Sequence, residues 1–498
     1  MEAQFNTISI PCLHTLTRQT QYLEQTQETK LMDGMPDIGR VLGSWGQVMI
    51  RSKQWNSGSV SVSGGVLLWT LYAPEEDGAP QVVESWLPLQ SKLDIPETQR
   101  DGSICVLPVL RSVDARSLSA RKLMVRAAVA FCIEVAVPEN VEISIPDKLP
   151  DDIRVLRNTY PMWIPREAGE KSFQIEEALS LPASVPGISK LVRYTLTPEL
   201  LEMKVVTDKL VIRGVGNLSV LYLDASGRLQ KWEMELPFSQ YADLDRDYDS
   251  HANARIWLAM TSLELEQGEE ENLNLRAGIT AQYVLGEQTM VELAEDAYSP
   301  MRQVEPYISR GMLPAVLDDR KLNTEPEVAV SQDGMQAVDV CFYSDIPKLH
   351  RNGHQITADL SGYFQTLGYD QNGQLQSAQY RWEDSRQMDA DPDADVDMWI
   401  SRIGKPQQSA GGNGSVSTDM TLHVQTGAAR GVPVMTDLTA GDIIPPDPNR
   451  PSLILRRAGQ DSLWQIAKLT GSTVEAIQKA NGLEDQPVED QMLLIPIS

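Results

Sequence analysis

The sequence predicts a mainly β protein: tandem β-sandwich or barrel-like repeats followed by a small C-terminal βααβ module. Three features lead there. The chain matches itself at a constant displacement of 150 residues, and each copy carries the alternating, Val-, Leu- and aromatic-rich patterning of strands. In the last 48 residues, two helical segments with start and stop signals lie between two short apolar runs.

At 498 residues, three or four domains are expected, and an apolar content of 42% is enough for packed cores. A formal charge of −26 argues against nucleic-acid binding, which needs a basic footprint, and against adsorption to anionic lipid. No apolar run approaches the ~20 residues of a membrane span. Residues 1–5 lack the basic and then apolar pattern of an export signal, so a cytoplasmic location is expected. The cysteines Cys12, Cys105, Cys132 and Cys341 form no close pair, which fits a reducing compartment.

Displaced by 150 residues, Pro36 meets Pro186, Ile38 meets Ile188, Gly64 meets Gly214, Leu71-Tyr72 meets Leu221-Tyr222, and Arg126-Ala127 meets Arg276-Ala277. So long a period means tandem domains rather than a solenoid. The copies are expected at residues 15–140 and 170–296, with a diverged third at 321–442. Residues 59–72 and 209–223 read as strands interrupted by Gly64 and Gly214, where a bulge or bend is expected. Asp224-Ala-Ser-Gly227 makes a hairpin turn into the alternating segment 229–236, and the last strands are 122–132 and 272–283.

In the third copy, residues 354–370 parallel the strand leading to Asp224, 371–373 form the turn and 375–382 the return strand. Beyond that the copies part, and two loops, 389–397 and 404–417, are expected to be mobile. Between the first two copies the chain is proline-punctuated: residues 138–186 contain Pro146, Pro150, Pro161, Pro165 and Pro182, with one amphipathic piece at 172–179. The proline-dense segment 441–451 reads as a stiff spacer that holds the terminal module off the β body.

The module spans 451–498. Residues 453–457 form its first strand, and Ser462 with Gln465 has capping-box spacing before a helical face of Leu463, Ile466 and Ala467. Gly471 ends that helix, and Ser472 with Glu475 repeats the start signal for a second, which Asn481-Gly482 stops. Residues 492–495 form the returning strand.

The search for chemistry finds no catalytic constellation. Asp389, Asp391 and Asp393 alternate like the start of a calcium loop, yet no Gly stands at position six and Ile400 replaces the closing Glu, so a solvated loop is expected. His350 and His354 lack the companions of a zinc site and flank a turn at Asn352-Gly353. Phosphate-loop, nucleophile-elbow and dinucleotide-loop motifs are absent. Cys132, mid-strand, reads as structural, Trp69, Trp232 and Trp257 read as strand packing, and Trp464 is expected to pack on the module's own strands. No enzyme, metal site or cofactor is expected.

Two resemblances follow from these residues. Gly459-Gln-Asp-Ser-Leu-Trp-Gln-Ile-Ala467, Ala480-Asn-Gly-Leu483 and Leu493-Leu-Ile-Pro496 resemble the motifs of a LysM domain, with one extra residue, Gln460, in the first loop. Segments 172–179, 210–214, 220–222, 235–240 and 275–277 are similar to SPOCS domains of spore-coat proteins. A chain of such repeats ending in LysM resembles the SipL-like spore-coat morphogenetic family. That resemblance implies a cytosolic mother-cell scaffold at the forespore surface, bound through LysM to the ATP-hydrolysing coat basement layer and recruiting other coat proteins. The alternative it implies is binding of an N-acetylglucosamine glycan, as peptidoglycan or its lipid-linked precursor. By either route the LysM groove would be formed by Gly459, Gln460, Asp461 and Ser462 facing Asn481, Gly482 and Leu483. Glu484, Asp485, Glu489 and Asp490 would add an acidic rim suited to a basic protein surface.

Overall fold

Each repeat is framed by two long antiparallel strands, the first and the last in its stretch of sequence. The computed structural model describes residues 4–497 except 57, 77, 97–101, 269–271, 315–317, 331–334, 393, 410–413, 446–449 and 484–490. The first repeat contains β1 (Gln4–Lys30), β2 (Ile38–Asn56), β3 (Ser59–Pro74), β4 (Gln81–Asp94), β5 (Ser103–Ser119) and β6 (Lys122–Lys148). The second contains β7 (Arg154–Ser180), β8 (Lys190–Leu223), β9 (Leu229–Tyr248), β10 (Asn253–Gln267) and β11 (Asn272–Tyr298). The third contains β12 (Arg302–Pro314), β13 (Asp318–Thr324), β14 (Glu327–Ala329), β15 (Gln336–Ser344), β16 (Lys348–Asn352), β17 (Gln355–Tyr369), β18 (Leu375–Asp389), β19 (Ala394–Ile403), β20 (Gln407–Gln408), β21 (Ser415–Ser417) and β22 (Met420–Ile443). The terminal module follows with β23 (Leu453–Arg457), α1 (Leu463–Thr470), α2 (Val474–Asn481) and β24 (Met492–Pro496).

One pairing scheme recurs. Sheet order is β1-β6-β5 with β2-β3-β4 in the first repeat, and β7-β11-β10 with β8-β9 in the second. In the third, β12 and β13 together take the place of one long first strand along β22, β19 lies on its other side, and β15-β17-β18 forms the second sheet. The paired sheets enclose apolar side chains such as Val60, Val66, Leu123 and Phe131, all fully buried. Tandem β sandwiches are therefore the architecture.

The sequence self-match has physical causes. Tyr72 donates its hydroxyl to the Pro36 carbonyl at 2.9 Å, and Tyr222 donates to Pro186 at 2.8 Å, tying the same loop to the same strand in both repeats. A Cβ on Gly64 would overlap the Met49 carbonyl oxygen, and one on Gly214 the Glu199 carbonyl oxygen and the Phe238 ring. In the first repeat the bulge itself lies in β2, between Ile50 and Ser52, with Gly64 opposite Ile50 in a continuous strand. The turns at Asp224 and Asp370 also match: each aspartate Oδ1 accepts two backbone N–H groups, and Gly227 and Gly373 adopt φ of 78° and 74°.

Four expectations are corrected. Residues 138–186 are largely strand, because β6 runs to Lys148 and β7 starts at Arg154. Prolines fit there because β5 pairs with β6 only as far as Ala136, and β7 is an edge strand, so no second neighbour needs the missing N–H. The third copy does not part from the others after residue 382: β19 and β22 restore the pairing that its sequence hides. The acidic stretch is not a long loop either, since Asp395 and Asp397 lie in β19 and Asp393 lies outside the described residues. The expected mobile loop at 404–417 carries the short strands β20 and β21, with 410–413 outside the described residues.

Each repeat touches the other two. Between the first and second, the Gln282 side chain exchanges hydrogen bonds with both backbone groups of Val106, at 2.8 and 2.7 Å. Between the second and third, Arg193 donates to both carboxylate oxygens of Asp339, at 2.7 and 3.2 Å. Between the third and first, Arg111 grips Asp345 in the same two-pronged way. Where all three meet, Glu134 is bound by Arg18 and Arg255, and Arg18 also reaches Asp397 at 2.8 Å. Beyond the sandwiches the long strands continue as two-stranded ribbons, whose apolar faces join through Ile143, Met162, Ile164, Leu293, Val432 and Val434 into a stem.

Burial alone would raise the Glu134 and Asp339 carboxyls. Arg255 and Arg18 at Glu134, and Arg193 and Lys231 at Asp339, outweigh it and hold both below the usual carboxylate range. Folded values below unfolded ones give stability that is present above about pH 4 and lost as the pH falls through the folded values. The urea midpoint should accordingly drop as buffers go below about pH 4. Asp339→Ala, which strands a buried guanidinium, should cost about 3 kcal/mol or more at neutral pH, whereas Arg193→Met combined with Asp339→Leu should restore most of it.

Candidate functional site

The terminal module is organised by its caps. Ser462 Oγ accepts from Gln465 N at 3.2 Å while the Gln465 side chain accepts from Ser462 N at 2.8 Å, so the expected capping box forms. The second helix starts one residue later than the Ser472 signal implied. Thr473 is its N-cap, and Ser472, fully buried, donates to the Pro496 carbonyl instead. Gly471 and Gly482 close the helices in left-handed conformations with φ of 67° and 62°. Leu463, Ile466, Ala467, Ile477, Leu493 and Ile495 fill the core under the β23–β24 hairpin.

The two candidate groove loops leave the same end of that hairpin, since Arg457 pairs with Met492 and Ala458 N donates to the Gln491 carbonyl. Most of the candidate residues have local structural work. Ser462 is the cap, and Asp461 is ion-paired with Arg456. Asn481 is saturated: its amide donates to the carbonyls of Ile477 and Leu494, both at 2.7 Å, and its oxygen accepts from Leu494 N at 2.8 Å. Leu483 packs on the module core. Gly459 adopts φ of 58°, and its neighbour Gln460 is exposed, as is Gly482. Among the described residues, exposed Gln460 and Asp461 and the backbone of these turns are what the loops offer to a ligand. The proposed acidic rim, Glu484, Asp485, Glu489 and Asp490, lies outside the described residues.

The module is not held off the body. Trp464 packs edge-to-face on Tyr298 at the end of β11, with ring centroids 4.8 Å apart, rather than only on its own strands. Asp296 of the same strand accepts from Trp464 Nε1 at 2.9 Å and from Lys468 Nζ at 2.7 Å. Burial, with the Glu475 carboxylate adding to it, pushes the Tyr298 hydroxyl up to about 12, so it remains a donor, and it binds the Ser472 carbonyl at 3.0 Å. Arg450, entering the module, donates to the Thr470 carbonyl at 2.9 Å. Proline density described the stiffness of residues 441–451, but the side chains on either side set where the module sits. Nothing local in the sequence marks Asp296 and Tyr298 as its seat.

Elsewhere the side chains read as structure. Burial pushes the thiols of Cys105 and Cys132 up to about 11 and that of Cys341 up to about 12, far from the thiolate a nucleophile needs. Among the described residues no three His, Cys, Asp or Glu side chains gather as a metal ion requires, and no helix is long and apolar enough to cross a membrane. His350 lies in β16, but the hairpin turn is Gly353-His354 rather than Asn352-Gly353, so His354 sits in the turn instead of flanking it.

Residues 187–266, which cover β8, β9 and most of β10, match the family model of the SipL SPOCS domain. Residues 460–496 match that of the LysM domain. No curated protein and no solved structure matches the chain. The chain thus carries a SPOCS domain of the SipL kind in its second repeat and a C-terminal LysM domain, a combination that fits a sporulation-related scaffold with a peptidoglycan-binding-like module. Asn481→Ala should destabilise that module by about 1 kcal/mol, because it removes the hydrogen bonds that tie the end of α2 to Leu494, whose exposed backbone groups then turn to water. Gln460→Ala should change stability by less than about 0.5 kcal/mol. Hydrogen exchange of residues 492–496 in the full chain reads out both.

Proposed function

We propose that this chain is a non-catalytic scaffold of spore-coat or spore-envelope assembly. On this reading it works in the mother-cell cytoplasm at the forespore surface and docks through its LysM module to the ATP-hydrolysing layer beneath the coat, with further coat proteins as partners. The observation that carries the reading is the SipL SPOCS match in the second repeat with a LysM match in the same chain. All three repeats are proposed as SPOCS-like, the first and third on the shared strand pairing. That both matched domains are binding domains supports a binding role over a catalytic one.

A second reading, binding of an N-acetylglucosamine glycan, is supported by the reach of the LysM match. It spans both loops from Gln460 onward, and Gln460 and Gly482 are exposed. On either reading the contact surface is proposed to be Gly459, Gln460, Asp461, Ser462, Asn481, Gly482 and Leu483.

Deleting residues 451–498 should abolish capture of the coat ATPase from sporulating cells and disperse the protein from the forespore. Unchanged capture and localisation would contradict the scaffold reading. Titration of the full chain with chitin oligomers separates the second reading: saturable binding at or below millimolar concentration supports it, and no binding removes it.

A further inference from the structure

We propose that the end of the second repeat is a built receptor for the LysM module, and that it acts as a latch covering the α1 face of the module in the free chain. Asp296 is the centre of the latch. Its one carboxylate holds two polar groups of α1, the Trp464 indole N–H at 2.9 Å and the Lys468 ammonium at 2.7 and 2.8 Å. Tyr298, two residues on, is 4% exposed and belongs to the apolar core of the module itself, beside Ala458, Leu463 and Ile466. Its hydroxyl fixes the segment between the helices through the Ser472 carbonyl. The module's core is completed by a residue from more than 150 positions earlier in the chain.

The seat is shaped by the strand. Register in β11 shifts between Ala294 and Asp296, so Glu295 is the extra residue of a bulge. Glu295, 8% exposed, turns to Tyr160 and Asn158 within its own repeat, and Asp296 faces the module. The arrangement is not inherited from the repeat: 150 positions earlier, the first repeat has Pro146 and Lys148, which supply neither a carboxylate nor an aromatic ring. Arg450 closes the other side by binding Thr470 at the end of α1.

The opposite side of the module is open. Leu453, Leu455, Met492 and Leu494 on the outer face of the hairpin are 39% to 64% exposed. A molecule meeting the closed chain therefore meets the hairpin face and the two groove loops. Trp464, half-buried against Tyr298, becomes fully available only when Asp296 and Tyr298 let go.

The latch is tested on the full chain by hydrogen exchange with mass spectrometry and by small-angle X-ray scattering. Asp296→Ala should speed exchange across residues 463–470 by about tenfold or more and enlarge the radius of gyration, with residues 272–285 of β11 unchanged. Lys468→Gln, a surface change confined to the module, should move both readouts in the same direction by less, and it decides the matter if Asp296→Ala also loosens 272–285. Asp243→Ala, which breaks an exposed pair with Lys209 elsewhere on the second repeat, should move neither. Wild-type exchange in 463–470 and wild-type scattering in the Asp296 and Lys468 variants would overturn the latch. Neither readout involves a coat protein or a glycan, so such a failure would leave the functional reading untouched.

Discussion

Arg193 and Asp339 belong to different repeats, and neither side chain is more than 2% exposed. Either charge buried alone would be costly, so the second and third repeats must come together for both to be satisfied. Glu134 extends the requirement to the first repeat, because its guanidinium partners come from Arg18 and Arg255, and Arg18 also binds Asp397 of the third. The apolar core has the same reach: Trp69 and Leu71, Tyr222 and Leu275, and Leu367 and Leu375, two from each repeat, belong to one continuous cluster. The body is a closed set of three: the first and third repeats also have cores largely of their own, and the charged contacts and this shared cluster join them to the second.

That closure explains how the chain can hold a small module in a defined place. The three ribbons pack into a stem, the second ends in Asp296 and Tyr298, and the LysM module rests on those two residues. A flexible tether would let the module search space, whereas a seated module presents its loops and hairpin in a fixed direction.

Much of this fold was legible in the sequence where a contact demands particular residues. The displacement of 150 was readable because Tyr72 and Tyr222 each need a Pro carbonyl in place, and because Gly64 and Gly214 sit where a Cβ would strike a neighbouring backbone or ring. The caps of the module were readable for the same reason, although Ser472 looks like a cap and spends its hydroxyl on Pro496, leaving Thr473 to start the helix. The prolines of 138–186 misled because sequence alone cannot show which edge of a strand is free. The third repeat was obscured once its first long strand was split into β12 and β13, which broke the constant displacement. The seat of the module was invisible: Asp296 and Tyr298 look like any polar and aromatic pair at a strand end, and only the bulge at Glu295 aims Asp296 at Trp464.

The shared interior makes one demand that a string of independent domains would not meet. In differential scanning calorimetry of the full chain, the three repeats should unfold in one endotherm, with van't Hoff and calorimetric enthalpies in agreement for the body. Resolved transitions, one for each repeat, would show that the buried contacts among Arg193, Asp339, Glu134 and Arg255 do not bind the three into a unit, and would contradict the closed arrangement.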